Sequence, residues 1–218
     1  MGLNEKLFSA AAIDNEKSAL FNGSSAFIDV NAKIPASLNI GLSFWVKTTT
    51  TGGYLFSTKL GYSTSGWGVS IISGKINWFE GNGVDNATSQ LSSTTVTNGN
   101  WNHVVVSRYS NGLVSMWINN VRVLAEGDVG TYKFTSTTYA ADLHIGRYPG
   151  ANILHYNGEM DEVVIYNRGI TTSEVATLYN RTSIPNTPTA YYKFNNNFDD
   201  EQGNYDAQGT NMQFGTGI

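Results

Sequence analysis

The 218-residue chain carries 13 Lys and Arg against 17 Asp and Glu, a net charge of -4, and no cysteine. This balance excludes duplex nucleic acid and anionic membranes as main partners, because both reward clustered cations, and the lack of Cys excludes disulfides, thiolate metal sites and a Cys nucleophile. Charged residues are only 14%, and the polar share comes instead from 24 Asn, 20 Ser, 22 Thr and 23 Gly, types that favour turns and strands over helices.

Short alternating runs separated by turn clusters fill most of the chain. Ala26–Val30, Leu42–Lys47, Tyr54–Ser57, Gly68–Ile72 and Lys75–Phe79 each read as a half-buried strand, and Ser73-Gly74 between the last two is a tight hairpin signal. Asn102–Arg108, Leu113–Ile118, Val121–Leu124, Ala141–Gly146 and Gly158–Tyr166 continue the series, with Asn119-Asn120 as a second hairpin turn. Strands this short and regular predict an all-β, two-sheet antiparallel jelly-roll sandwich. One short helix is predicted near 172–180, where the capping-box pattern Thr171-Thr-Ser-Glu174 precedes Val175, Leu178 and Tyr179 at helical spacing. Ile184-Pro-Asn-Thr-Pro188 reads as a stiff connector. No stretch approaches the roughly 20 apolar residues of a membrane span, so membrane insertion is not expected. Asn4, Glu5 and Lys6 leave no signal-type apolar segment at the start.

An ordered set of segments carries a resemblance. Ser18-Ala-Leu-Phe-Asn-Gly-Ser-Ser25 is followed by Ser43-Phe-Trp-Val46, Trp101-Asn-His-Val-Val-Val106, Val114-Ser-Met-Trp-Ile-Asn-Asn120, Leu143-His-Ile-Gly146 and Tyr156-Asn-Gly-Glu-Met-Asp-Glu-Val-Val-Ile-Tyr-Asn-Arg168. In this order and spacing they resemble the concanavalin A-like lectin/glucanase superfamily, in its laminin G-like (LamG) branch, over residues 18–180. The tail, Ala190-Tyr-Tyr-Lys-Phe194 through Gly203-Asn204 and on to Phe214, is similar to the segment that opens such domains, yet here it follows the closing strand. Two readings fit. Residues 1–218 form one domain whose tail 190–218 supplies an extra strand, or the tail begins a second repeat; an unpaired Tyr191–Phe194 edge would be exposed and sticky, which favours the first.

The resemblance implies a non-catalytic recognition module that binds carbohydrate on a cell surface, virion or polysaccharide, with no cofactor required. A structural or assembly domain of a fibre, adhesin or phage tail protein, without a small ligand, is the alternative. Partners would be a glycan or a surface protein, and the location extracellular, cell-surface or virion, as for a phage or bacterial surface protein; the oligomeric state is left open. A glycoside hydrolase is the third reading. The glucanases of the superfamily set Glu, Asp and Glu at alternate positions of one strand. In this chain alternation places Glu159 and Asp161 on one face and Glu162 on the other, with Val163 and Val164 where a third acid would sit. No catalytic residue is therefore expected.

The resemblance also implies a structural calcium, with Asp161 of the closing strand held against the Asn22-Gly23 turn, although relatives often carry Asp where Asn22 stands; otherwise Asp161 hydrogen-bonds the opening loop. Sugar rings stack their C–H faces on aromatic faces while amides and charged groups take the hydroxyls. That chemistry singles out Trp67 and Trp78 beside flexible loops, and Arg147, Tyr148, Asn152, His155 and Tyr156 in the connection after Gly146. Trp45 and Trp101 sit in strand motifs and read as packing. Trp117 lines a groove if its face is concave. His103 reads as a structural histidine, and His144 and His155 lack zinc spacing.

Overall fold

The computed structural model describes residues 16–61, 63–84, 88–128, 133–151 and 153–218. In chain order the strands are β1 (Lys17–Asn22), β2 (Phe27–Asp29), β3 (Ile40–Lys47), β4 (Gly52–Ser57), β5 (Ser65–Ile72), β6 (Lys75–Asn82), β7 (Thr88–Thr95) and β8 (Trp101–Arg108). They continue with β9 (Leu113–Ile118), β10 (Val121–Asp128), β11 (His144–Ile145) and β12 (Asn157–Tyr166), then helix α1 (Thr172–Tyr179), β13 (Ala190–Tyr192), β14 (Gln208–Thr210) and β15 (Gln213–Thr216). Every strand pair is antiparallel. An eight-stranded sheet runs β10-β9-β8-β3-β12-β1-β15, with β13 also on β12, and a seven-stranded sheet runs β14-β2-β11-β4-β5-β6-β7. The jelly-roll sandwich expected from the alternating runs is the architecture found.

Turn chemistry sets the hairpins. Ser73 and Gly74 both have positive φ (51° and 79°), as do Asn119 and Asn120 (50° and 64°). Two left-handed residues in a two-residue loop match the right-handed twist of the flanking strands, and the pairs Ile72↔Lys75 and Ile118↔Val121 close directly on these turns. β7 was not anticipated, because Thr-Ser-Gln-Leu-Ser-Ser-Thr-Thr is nearly all polar. It is an edge strand, where one face and one ladder are open to water.

The tail contributes to both sheets. β13 pairs with β12 through Val163↔Tyr192 and Ile165↔Ala190, β14 pairs with β2, and β15 pairs with β1 through Lys17↔Thr216. β14 and β15 are the edge strands of different sheets, so residues 208–216 cross from one sheet to the other and clip that side of the sandwich. Tyr192 and Phe194 are fully buried in the inter-sheet core.

Between the sheets lies a core that includes Phe21, Phe44, Phe56, Trp67, Val69, Trp78, Val104, Val106, Met160 and Val163. One ion pair is sealed inside it. Arg108 donates from Nε and Nη2 to the two oxygens of Glu80 (3.1 and 3.0 Å), and both side chains are 0% exposed. Trp78 Nε1 donates to the same carboxylate at 2.9 Å, the Phe134 carbonyl accepts from Arg108 Nη2, and the guanidinium lies 4.0 Å from the Phe134 ring centre. A buried charge is tolerable only when it is paired and hydrogen-bonded in this way.

The outer face of the eight-stranded sheet is covered by α1. Val105, Trp117, Val164, Tyr166 and Tyr191 pack there with Val175 and Leu178 of the helix, and Trp45 stacks on Tyr179 with ring centres 5.8 Å apart. Thr171 caps α1 and Glu174 completes the capping box. No helix among the described residues is long and apolar enough to cross a membrane.

Candidate functional site

The seven-stranded sheet turns one row of side chains after another toward solvent. Tyr54 pairs with Ser70 and Ser70 with Asn77 across β4, β5 and β6. In the next row Ser57 pairs with Gly68, Gly68 with Phe79 and Phe79 with Ser89. Paired residues share a face, so these two rows lie side by side. Gly68 is required here: a Cβ at that position would fall 2.1 Å from Cζ of Phe79, so the tip of the Phe79 ring occupies the space of the missing side chain.

The segment after β11 closes one side. Gly150 approaches the backbone of Leu60 so closely that a Cβ would meet its carbonyl oxygen at 1.8 Å. This docks residues 147–151 against the chain leaving β4 and brings Tyr148 to Tyr54, ring centres 4.9 Å apart. Tyr54 meets Phe79 edge to face at 5.5 Å. The result is an open cleft of about 160 Å³ lined by Tyr54, Lys59, Ser70, Ile72, Asn77, Phe79, Ser89 and Tyr148.

Several of its polar groups are almost fully buried. Asn77 is 2% exposed and donates from Nδ2 to Ser70 Oγ at 3.1 Å, while its buried Oδ1 accepts no hydrogen bond. Turning the amide over would only exchange the atoms, so one polar end is left without a partner either way. Native structures rarely leave such a group unsatisfied, and the reason is commonly an ion, a water or a ligand. Lys59 is 2% exposed, and burial lowers its ammonium from the usual lysine range to about 8 against the attraction of Glu80, which raises it. Its Nζ donates to the Thr64 carbonyl.

The sequence expectations divide here. Tyr148 lines the cleft. Trp67 and Trp78 do not: each is 0% exposed, and they stack on one another 5.5 Å apart in the core. Both alternate with outward-facing neighbours, so the loops beside them do not expose their rings. Tyr156 is also 0% exposed, bonded through its hydroxyl to the Glu159 carbonyl. Arg147 lies over Phe27, 3.4 Å from the ring centre, and donates to His144 Nδ1. His155 is only 7% exposed and bridges to Tyr54 through the backbone, and Asn152 lies outside the described residues. Tyr54, Asn77, Phe79 and Lys59 were missed as site residues, because single strands do not reveal which rows meet.

Asn22 and Asp161 do not fit a calcium. Asn22 stands opposite Asn157 and Ala19 opposite Met160, which puts Asp161 about four residues, or ~13 Å, along the ladder from Asn22. Asn22 Oδ1 accepts from the backbone N–H groups of Ser24, Ser25 and Ala26. The two oxygens of Asp161 accept from the N–H groups of Glu162 and Ile218. Both side chains organise backbone.

The acids of β12 also depart from strict alternation. Met160 and Val163 both face the inter-sheet core, and Glu162 sits at a positive φ of 48° within a register shift between Asp161 and Val164. A bulge of this kind places two residues against one, so Glu162 lies on the outer side with Asp161. Glu159 pairs with Lys47 and accepts from Ser18, and Glu162 accepts from the Tyr191 hydroxyl.

Comparison with known proteins agrees with the architecture. A laminin G family model, described as the concanavalin A-like lectin/glucanases superfamily, matches residues 22–176. A crystal structure from Bacteroides ovatus ATCC 8483, given the provisional description of carbohydrate binding protein, superposes with a TM-score of 0.71 at 14% identity, over 94% of this chain and 61% of its own. The heptameric SAP-like pentraxin of Limulus polyphemus gives 0.66 at 14% identity, over 95% and 97%. Domains LG4-5 of the mouse laminin alpha1 chain give 0.53 at 12% identity, over 83% and 47%. No curated protein matches by sequence. At these identities the similar structures establish the fold.

Proposed function

Because the chain belongs to the concanavalin A-like lectin/glucanases superfamily, we propose that it is a non-catalytic recognition module that binds a glycan in the cleft on the outer face of its seven-stranded sheet. The observation that carries this reading is the half-buried pair Tyr54 and Tyr148 beside Asn77, whose Oδ1 has no partner. An aromatic face takes the C–H surface of a pyranose, and a buried amide oxygen takes a hydroxyl donor that water otherwise supplies. Two larger depressions exist. One, of about 280 Å³, is lined by Leu20, Phe21, Asn22, Asn157, Asn211 and Gln213, and the other, of about 210 Å³, lies beside Lys47 and Glu159. Their one aromatic, Phe21, is 1% exposed, so they offer amides and hydroxyls without a stacking face. The carbohydrate-binding description of the Bacteroides protein supports the reading by analogy of fold. A glycan ligand suits an extracellular, cell-surface or virion setting.

A glycan array probed with the purified chain and with Tyr148→Ala tests it. Tyr148 is partly exposed, so its truncation is expected to leave the fold intact while removing most binding, a loss of about ten-fold or more if the ring stacks like other binding aromatics. Wild-type binding retained undiminished by Tyr148→Ala would move the ligand elsewhere on the molecule.

A further inference from the structure

Resting on the glycan reading, we infer that the cleft selects sugars that carry an N-acetyl group, with Asn77 pairing the amide and Ile72 and Leu91 receiving the methyl. The surroundings of Asn77 are the first argument. Leu91 of β7 pairs with it directly, on the side opposite Ser70. Phe79 stands two residues along β6, and Ile72 stands two residues beyond Ser70 on β5 in the other direction, so all of them share the outward face. In the flanking rows Lys75 pairs with Ile72 and Ser89 with Phe79. Ile72 and Leu91 are 45% and 44% exposed, whereas Asn77 is 2% exposed. A sunken carboxamide therefore lies between a ring and two aliphatic side chains that are open to solvent.

The chemistry of that carboxamide is the second argument. One end of it bonds Ser70 Oγ at 3.1 Å, and the other has no partner among the described residues. With the oxygen toward the cleft it wants a donor, and with the amide turned over it wants an acceptor. An acetamido group carries both an N–H and a C=O, so it answers either orientation. A hydroxyl can do the same, but it brings no apolar surface to Ile72 and Leu91. The acetyl methyl covers them and gains by leaving water. A free amino group is worse still, because its ammonium would be desolvated against apolar walls. The expected order at this position is acetamido, then hydroxyl, then ammonium. Neutral N-acetylhexosamines and N-acetylated sialic acids share the required group.

The test is titration of the purified chain with matched glycans. One arm uses N-acetylhexosamine oligosaccharides and the other sialylated glycans, each beside its hydroxyl and its de-N-acetylated counterpart. The expected result is that the acetamido form binds about ten-fold or more tightly than its hydroxyl counterpart in at least one arm, which identifies the source. Ile72→Thr and Leu91→Thr keep a β-branched or strand-compatible side chain at exposed positions. Each is expected to shrink that ratio by about three-fold, the worth of roughly one buried methyl contact. A ratio that both variants leave unchanged would overturn the assignment to this wall. Equal binding of acetamido and hydroxyl forms, with loss on Tyr148→Ala, would overturn the inference and leave the glycan site standing. Binding of no glycan would remove both. Saturation-transfer NMR on the wild-type chain gives a readout that needs no variant. With the protein methyl groups irradiated, the acetyl methyl is expected to be the most strongly saturated group of the bound sugar. Saturation spread evenly over the ring protons would contradict its seat on Ile72 and Leu91.

Discussion

At the scale of single residues, the most informative group is the pair Glu80 and Arg108, because nothing near the surface compensates it. Removing the carboxylate strands a guanidinium in the core, and breaking such a pair from one side costs about 3–5 kcal/mol. Glu80→Gln is therefore expected to lower the urea midpoint by that amount in free energy. A double Glu80→Leu, Arg108→Met variant should lose clearly less than the sum of its single variants, since it removes both charges. Equal, additive losses would argue that the two residues act independently. His103 makes a related prediction. Burial lowers its imidazole to about 3, and Nε2 shares a 2.8 Å hydrogen bond with Ser43. Its folded pKa lies below the unfolded value of about 6.5, so the unfolded chain takes up the proton first. Stability from this group is complete above pH 6.5 and declines as pH falls toward 3. His103→Gln should flatten that part of the stability–pH curve. The pairing of Glu80 with Arg108 was not legible in the sequence, because the two residues are 28 positions apart on facing sheets and each ends an ordinary alternating run.

At the scale of elements, α1 was readable to its cap, since the residues that nucleate a helix are local. Thr171 accepts the Glu174 N–H, and Glu174 returns a carboxylate bond to the Thr171 N–H. Burial alone would raise the Glu174 carboxyl, but the Arg168 fork (2.8 and 2.9 Å) and the Thr171 bonds outweigh it and hold the pKa at about 2. The folded value is depressed, so this contribution is present above the unfolded pKa of about 4.3 and is lost as pH falls through 2. Thr171→Ala should cost about 1 kcal/mol in chemical denaturation at neutral pH. The bulge at Glu162 was not readable, because an extra residue in a strand leaves no mark in composition and shifts alternation only where the partner strand is known. It explains why Asp161 and Glu162 both leave the core, whereas it is the regular β1–β12 register that keeps Asn22 away from Asp161. The strand β13 carries its own prediction. Tyr192 is fully buried, stacked on Phe194 at 6.1 Å, and its hydroxyl donates to the Tyr205 carbonyl. Tyr192→Ala should destabilise the domain by about 3–5 kcal/mol, measured by thermal or urea unfolding. A loss under 1 kcal/mol would mean that the tail is not integral to this sandwich.

At the scale of the whole molecule, the sandwich was legible because period-2 alternation and two-residue turns are properties of neighbours in sequence. Which face of each sheet meets solvent was not, and the site depended on that. Trp67 and Trp78 alternate with Gly68 and Phe79, and a one-residue difference decides between a stacked core pair and a cleft floor. Tyr148 was found through its loop, but its partners Tyr54, Asn77 and Phe79 come from two strands, β4 and β6, that meet only through β5 and whose register the sequence does not state. Sheet pairing therefore turned a set of scattered aromatic candidates into one site, and moved most of the earlier candidates into the core. The central claim is that this cleft, and no other surface, receives the ligand. The most direct measurement is a backbone and side-chain amide NMR titration of the full chain with the strongest ligand from the array. The account predicts shifts concentrated at Tyr54, Lys59, Ser70, the Asn77 side-chain amide, Phe79 and Tyr148. Shifts centred instead on Asn22, Asn157 and Gln213, or on the face beneath α1, would contradict it.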